Sequence, residues 1–175
     1  MKKAIILFLI LSLLLCACGQ ANIPPAGETR EFTDSTGRTV TLPASITKIA
    51  ISGPLSQIYI LPLAGDLLVG VSTAYAEDAQ SYLPAYIYEK AEIGQLYGGK
   101  GEMDLEALLA AAPDVVIDIG EPKKTTADDL TALTEQTGIP FIHIDATVAT
   151  APEAYRVLGK LLDREEKAED LAAWC

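Results

Sequence analysis

The chain is poor in the residues from which metal centres, disulfide frameworks and nucleophilic sites are built. Its 175 residues include one histidine, His143, and three cysteines. Cys16 and Cys18 lie beside an N-terminal apolar run, and Cys175 is the last residue. That distribution allows no disulfide within the domain, and no Cys/His cluster has the spacing of a structural zinc site. Basic residues are scarce too: 13 Lys and Arg stand against 24 Asp and Glu, for a formal charge of −11. A chain of that charge is a poor partner for nucleic acid, whose phosphates select lysine and arginine. Gly98-Gly99-Lys100-Gly101 lacks the G-x-x-x-x-G-K-[ST] spacing of a phosphate loop, and neither G-x-S-x-G nor H-E-x-x-H occurs. No serine or cysteine stands beside a recognisable base, so an enzyme reading has no nucleophile and no acid–base pair to rest on. There is no internal repeat and no low-complexity segment.

What is present begins with an address. Met1-Lys2-Lys3 precedes an apolar run from Ala4 to Leu15, a secretory signal pattern too short for a comfortable membrane span. Leu15-Cys16-Ala17-Cys18-Gly19 resembles a bacterial lipobox, with Leu15 and Ala17 in the aliphatic and small positions before Cys18. Residues 1–17 are therefore expected to be a lipoprotein signal peptide and Cys18 the lipidated residue. A plain signal peptide cut nearby, or a retained N-terminal anchor, is the alternative. Lipid chains contribute roughly 0.8 kcal/mol per buried CH₂, and stable anchoring takes more than one. Losing Lys2 and Lys3 with the signal takes the formal charge from −11 to −13. Residues 18–30 comprise Cys18 and a flexible tether containing Pro24, Pro25 and Gly27.

Residues 31–162 read as one α/β lobe. Arg30 to Pro43 is a hairpin around Asp34, Ser35 and Gly37, placed to cap an edge. Strands are expected at Ile49–Ile51, Leu68–Val71, Glu92–Gly94, Val115–Ile119 and Pro140–Ile144. Helices are expected at Leu55–Leu63, Asp104–Ala112, Thr126–Thr137 and Thr150–Leu162. Pro62 should kink or end the first, and Asp104 should cap the second, whose apolar face is Leu105, Leu108, Leu109 and Ala112. The β-branched run Val115-Val116-Ile117 with Ile119 is the pattern of a strand buried on both faces. Strand–helix alternation implies a mostly parallel central sheet flanked by helices. Residues 163–175 begin a strongly helical stretch with no C-terminal cap, which reads as truncated; a natural terminal helix is the alternative.

Ligands of open parallel sheets sit outside the carboxyl ends of the strands. Those ends carry Ser52-Gly53-Pro54, Ser72 to Tyr75, Gln95 to Gly101, Gly120 to Lys124 and Asp145 to Thr147. Tyr75, Tyr97, Lys100 and Lys123 are the candidate ligand-binding residues, aromatic faces and cations suited to a bulky anionic ligand. An ordinary solvated rim is the alternative. Strand alternation points the His143 ring away from Ile142 and Ile144, and the residue is read as a satisfied structural histidine, with a catalytic one as the alternative. Glu106, in the first turn of its helix, interacts favourably with the helix dipole by roughly 0.3–1 kcal/mol and needs no further reason to be there.

Several blocks together resemble a known family. They are Phe32-Thr33-Asp34 with Gly37 to Pro43; Gly65-Asp66-Leu67-Leu68-Val69-Gly70-Val71; Asp104-Leu105-Glu106-Ala107-Leu108-Leu109; Pro113-Asp114-Val115-Val116-Ile117; and Thr137-Gly138-Ile139-Pro140. Their order and spacing are similar to the periplasmic-type substrate-binding proteins of ABC importers for ferric siderophores, haem and cobalamin, from about Phe32 to Ala173. The resemblance implies two α/β lobes joined by a long helix, with the ligand between them, no catalysis and no cofactor. Only the N-terminal lobe matches, and residues 163–175 would be the start of the interlobe helix. The resemblance carries docking on an ABC permease to Glu106, with Asp104 replacing the family's usual asparagine. It carries a ligand-facing role to the loop from Tyr97 to Lys100. It implies a lipid-anchored protein on the extracytoplasmic face of the cell membrane, with an iron chelate of the ferric siderophore type as ligand. Cobalamin or haem is the alternative within the family. A lone-lobe interaction module and a flavodoxin-like enzyme are the alternatives outside it.

Overall fold

The computed structural model describes residues 27–97 and 102–175. The signal segment 1–17, Cys18 and Lys100 lie outside the described residues. The structure opens with an antiparallel hairpin, β1 (Thr29–Thr33) and β2 (Thr39–Pro43). The core follows as β3 (Ile49–Ile51), α1 (Pro54–Ala64), β4 (Gly70–Val71), β5 (Ala91–Glu92), α2 (Leu105–Ala111), β6 (Val115–Gly120), α3 (Thr126–Thr137), β7 (Phe141–Asp145), α4 (Ala151–Leu162) and α5 (Glu165–Trp174). Short 3-10 turns fill the β4–β5 connection at Glu77–Ser81 and Ala85–Ile87. Among the described residues no helix is long and apolar enough to cross a membrane.

All the core strands pair in parallel. β6 lies between β3 and β7, and β4 pairs with β5. An isolated bridge from Ile49 to Leu68, with the Val69 N–H donating to the Ile49 carbonyl at 2.9 Å, joins the two groups. The resulting order is β5-β4-β3-β6-β7, the mostly parallel sheet flanked by helices that the alternation of elements implies. β4 is shorter than its apolar run, because only Gly70 and Val71 keep the register with β5.

Alternation along the strands builds two cores. Ile49, Ile51, Ile117, Ile119, Ile142 and Ile144 face Tyr59, Ile60 and Leu63 of α1 and Tyr155, Leu158, Leu161 and Leu162 of α4. Ala50, Val116 and Phe141 face the other way, onto Leu108 of α2 and Leu130 of α3. α5 joins the first core through Ala168 and Ala172. A Cβ on Gly159 of α4 would come within 2.4 Å of the Ala168 Cβ, so glycine is what lets α4 and α5 approach this closely. An ion pair from Arg156 to Glu169, at 2.8 Å, ties the same two helices on the solvent side.

Local rules place the helix ends. The Asp104 carboxylate accepts the Ala107 N–H at 2.9 Å and caps α2 as expected. Gly138 closes α3 by donating its N–H to the Thr134 carbonyl at 2.8 Å. Pro62 is accommodated in the last turn of α1, which continues to Ala64. The carbonyl its ring leaves without a donor is that of Ile58, a residue 65 % exposed and open to water. The expected apolar face of α2 is only partly buried: Leu109 is half exposed and Ala112 is exposed as the left-handed C-cap, because α2 is only two turns long and buries itself through Leu108.

The hairpin covers the outer edge of β7, as an edge-capping element should. Its turn residue Asp34 is 4 % exposed. The Asp34 carboxylate accepts from the Thr36 N–H and hydroxyl, the Arg38 N–H and guanidinium, and, at 3.2 Å, the His143 N–H. Ser35 donates its N–H to the His143 carbonyl at 2.9 Å, and Arg38 donates to the Phe141 carbonyl at 2.8 Å. Burial alone would raise the Asp34 carboxyl, but the Thr36 and Arg38 hydrogen bonds and the Arg38 charge outweigh it and hold it below its ordinary value. A depressed carboxylate contributes stability that is complete above its unfolded value of 3.8 and is lost as pH falls through the lower folded value. Asp34→Ala is expected to lose about 3 kcal/mol, as in other broken buried ion pairs, and to flatten the acid limb of the stability–pH curve. Urea unfolding at neutral pH and at pH 3 measures both.

Candidate functional site

Strand order fixes where a ligand can enter. From β3 the chain runs to β4 and β5 on one side, then returns to place β6 on the other side of β3. The carboxyl ends of β3 and β6 therefore mark the topological switch point, where open parallel sheets bind ligands. A cleft of about 210 Å³ lies there. Ser52, Gly53 and Pro54 follow β3, Gly120 and Glu121 end β6, and Lys123 with Thr126 opens α3. The N-termini of α1 and α3 both border the cleft, and their dipoles favour negative charge. Lys123 and Thr126 fix the second border reciprocally: the Lys123 N–H donates to the Thr126 hydroxyl at 2.8 Å, and the Thr126 N–H donates to the Lys123 carbonyl at 3.1 Å.

Two of the sequence candidates meet at this rim. The Lys123 ammonium lies over the Tyr97 ring, 4.2 Å from its centre. The Tyr97 hydroxyl donates to Asp129 at 3.1 Å. Burial, then the Asp129 carboxylate that accepts its hydroxyl, push the Tyr97 phenol up to about 12. Gly94, at φ 82°, holds the base of the following loop: a Cβ there would sit 2.2 Å from the Glu102 carbonyl oxygen. The Ile93 carbonyl accepts the Asp104 N–H at 2.8 Å across the same neck.

Tyr75 stands apart from this cleft. It packs edge-on against Tyr88, with ring centres 6.3 Å apart, and its hydroxyl bonds to Gln57, whose carbonyl oxygen in turn accepts from the Ser72 N–H at 2.7 Å. Glu106 is exposed in the first turn of α2.

The floor of the cleft is a buried polar chain that the sequence did not announce. Asp118 and His143 are register partners on β6 and β7, on the sheet face that otherwise carries Val116 and Phe141. Asp118 Oδ2 and His143 Nδ1 are 2.7 Å apart, and Ser52 Oγ donates to Asp118 Oδ1. Ser56 Oγ is 3.0 Å from Ser52 Oγ and accepts the Ile119 N–H at 2.9 Å. The single hydrogen of Ser52 is committed to Asp118, so Ser56 is the donor to Ser52, and every donor in the chain runs toward the carboxylate. Ser52 bonds Asp118 rather than the imidazole, so the ring is not set as a base for that hydroxyl. His143 is 1 % exposed, and among the described residues its Nε2 has no partner. The structural reading of His143 therefore holds for one ring nitrogen and not for the other. The clue lay in VVIDIG and FIHID: one polar residue interrupts each apolar strand. Among the described residues no three His, Cys, Asp or Glu side chains gather as a metal site.

No protein-family model matches the chain, and no curated protein matches it in sequence. Solved structures do match. An ABC transporter solute-binding protein from Sulfurospirillum deleyianum superposes with a TM-score of 0.72 at 27 % identity, over 82 % of this chain and 45 % of that one. The molybdate-bound periplasmic binding protein MolA of Haemophilus influenzae gives 0.60 at 18 % identity, over 82 % and 49 %. Staphylococcus aureus SirA, complexed with staphyloferrin B, gives 0.55 at 18 % identity, over 81 % and 45 %. The chain thus spans about half the length of the structures it matches.

A raised phenol contributes stability that is complete below its unfolded value of 10.0 and is lost as pH rises through about 12. The urea midpoint is expected to fall as pH rises above 10, and to fall less in Tyr97→Phe. Equal falls would place Tyr97 outside the hydrogen-bonded rim. In its strand order and its helix-covered parallel sheet, the chain has the fold of one lobe of the solute-binding proteins that serve ABC transporters.

Proposed function

We propose that this chain is the N-terminal lobe of a lipid-anchored solute-binding protein of an ABC importer, and that its solute is an iron chelate of the ferric siderophore type. The observation that carries this reading is the switch-point cleft, with Lys123 stacked on Tyr97 at its rim and two helix N-termini turned toward it. That combination suits a large ligand carrying negative charge and flat groups. The cleft volume, about 210 Å³, is below the roughly 300–1,000 Å³ of a complete small-molecule site, as half of an interlobe cleft would be. Lys100, three residues after Tyr97 in the sequence, is assigned to the ligand with it, and Tyr75 to a more distant part of the ligand surface. α5 is assigned as the start of the interlobe helix.

Glu106 is assigned to permease docking. Its exposed carboxylate stands on α2 and does not line the switch-point cleft, so ligand and permease contacts are separable. Cys18 holds the lobe on the extracytoplasmic face of the membrane. Binding involves no chemistry on the solute, and transport energy comes from the importer's own nucleotide-binding subunit.

Glu106→Arg in the full-length protein is expected to abolish uptake of the bound chelate and leave its Kd within twofold, as read by cell uptake and equilibrium dialysis. Loss of binding would refute the docking role. Lys123→Ala is expected to weaken binding of an anionic ferric siderophore about fivefold to tenfold, the worth of one desolvated cation contact. If ferric siderophores, haem and cobalamin all fail to bind, the iron reading is wrong.

A further inference from the structure

The floor of the cleft holds a polar atom that nothing among the described residues answers. Buried side-chain nitrogens and oxygens almost always have a partner, and those that lack one call for an explanation. His143 lines the cleft, is 1 % exposed, and has no partner for Nε2 among the described residues. The other side of the ring is fully determined. Asp118 Oδ2, 2.7 Å from Nδ1, can only accept, and its second oxygen is occupied by Ser52. Nδ1 therefore carries the ring hydrogen, and in the neutral ring Nε2 presents a bare lone pair. The neighbouring strands fix the direction of that lone pair, since Asp118 and His143 are register partners and the His143 backbone is pinned through both its N–H and its carbonyl to the hairpin turn.

We propose that His143 Nε2 is the innermost solute contact of the cleft, an acceptor that receives an N–H or O–H donor of the bound ligand. The proposal rests on the reading of the cleft as a solute site and adds a selection rule to it. Lys123 and the helix N-termini at the rim favour anionic groups, whereas the floor accepts only a donor. A ligand satisfying both is an organic chelate that is anionic outside and carries an amide or hydroxyl hydrogen at its inner end. A tetrahedral oxyanion such as molybdate offers acceptors alone and leaves Nε2 unanswered.

His143 is the one histidine of this sequence, and its ring nitrogens are identified in the full-length protein as the signals missing from the His143→Phe variant. The full-length protein, ¹⁵N-labelled, is titrated with the diamagnetic gallium(III) complexes of a tris-catecholate amide siderophore and a tris-hydroxamate siderophore. Gallium protoporphyrin, cyanocobalamin and sodium molybdate are titrated in parallel. In the free protein Nε2 is expected to show the shift of an unprotonated nitrogen that accepts no hydrogen bond. Saturation with a donor-bearing chelate should move it upfield by several ppm while Nδ1 stays protonated, and molybdate should leave it in place. A protonated Nε2 in the free protein, a bound chelate that leaves Nε2 unmoved, or a shift produced by molybdate would each overturn the contact. Binding with a silent Nε2 overturns this contact alone. Failure of every probe to bind overturns the contact and the solute reading together. Pairing His143→Phe with Asp118→Asn removes the acceptor without leaving an unpaired buried carboxylate, and about tenfold weaker binding of the chelate is expected, the worth of one hydrogen bond. Unchanged affinity in a folded double variant would also overturn the contact.

Discussion

Strand β6 has nowhere to put a charge. All six of its residues are buried, β3 and β7 occupy its two edges, and helices cover both faces. A carboxylate in such a place has to be answered from within the protein, because an unpaired buried charge is among the most destabilising features a fold can carry. Asp118 is answered by His143 on one neighbouring strand and Ser52 at the end of the other. That requirement links three strand ends at the point where the strand order reverses. It also turns a region that alternation would have filled with apolar side chains into the polar floor of a cleft.

Much of the fold could be read from the sequence because its signals are local. The Asp104 cap and the β-branched run of β6 each depend on residues within one or two turns of one another. The hairpin was legible for the same reason, since Asp34 and Gly37 specify its turn. What failed was also instructive. Leu109 has helical spacing, but whether a face is buried depends on what lies above it, and α2 is too short to be covered along its length. The Asp118–His143 pair was not legible, because pairing is set by strand register, and register is a tertiary property. Each residue alone looked like an interruption of an apolar strand.

The candidate site divides in the same way. Tyr97 and Lys123 could be named because they follow strand ends, and the fold brings them into contact. Tyr75 follows a strand end as well, yet β4 lies one position further from the switch point, and its tyrosine is occupied by Gln57 and Tyr88. Position along a strand says that a residue is at the binding edge of the sheet. It does not say how far the residue is from the place where the strand order reverses.

The tie between the hairpin turn and β7 also constrains the order in which the molecule can be assembled. Asp34 receives the His143 N–H across 109 residues of sequence, and Arg38 reaches the Phe141 carbonyl across 103. During synthesis the hairpin leaves the ribosome long before β7 exists. Its own Thr36 and Arg38 can answer the Asp34 carboxylate at once, but the bond from the His143 N–H must wait for β7. Contacts of such long range are slow to form, because the loop they close must be ordered first. The hairpin, although it precedes the sheet in the chain, can therefore dock only once β7 has been made, so its docking reports that β7 is in place.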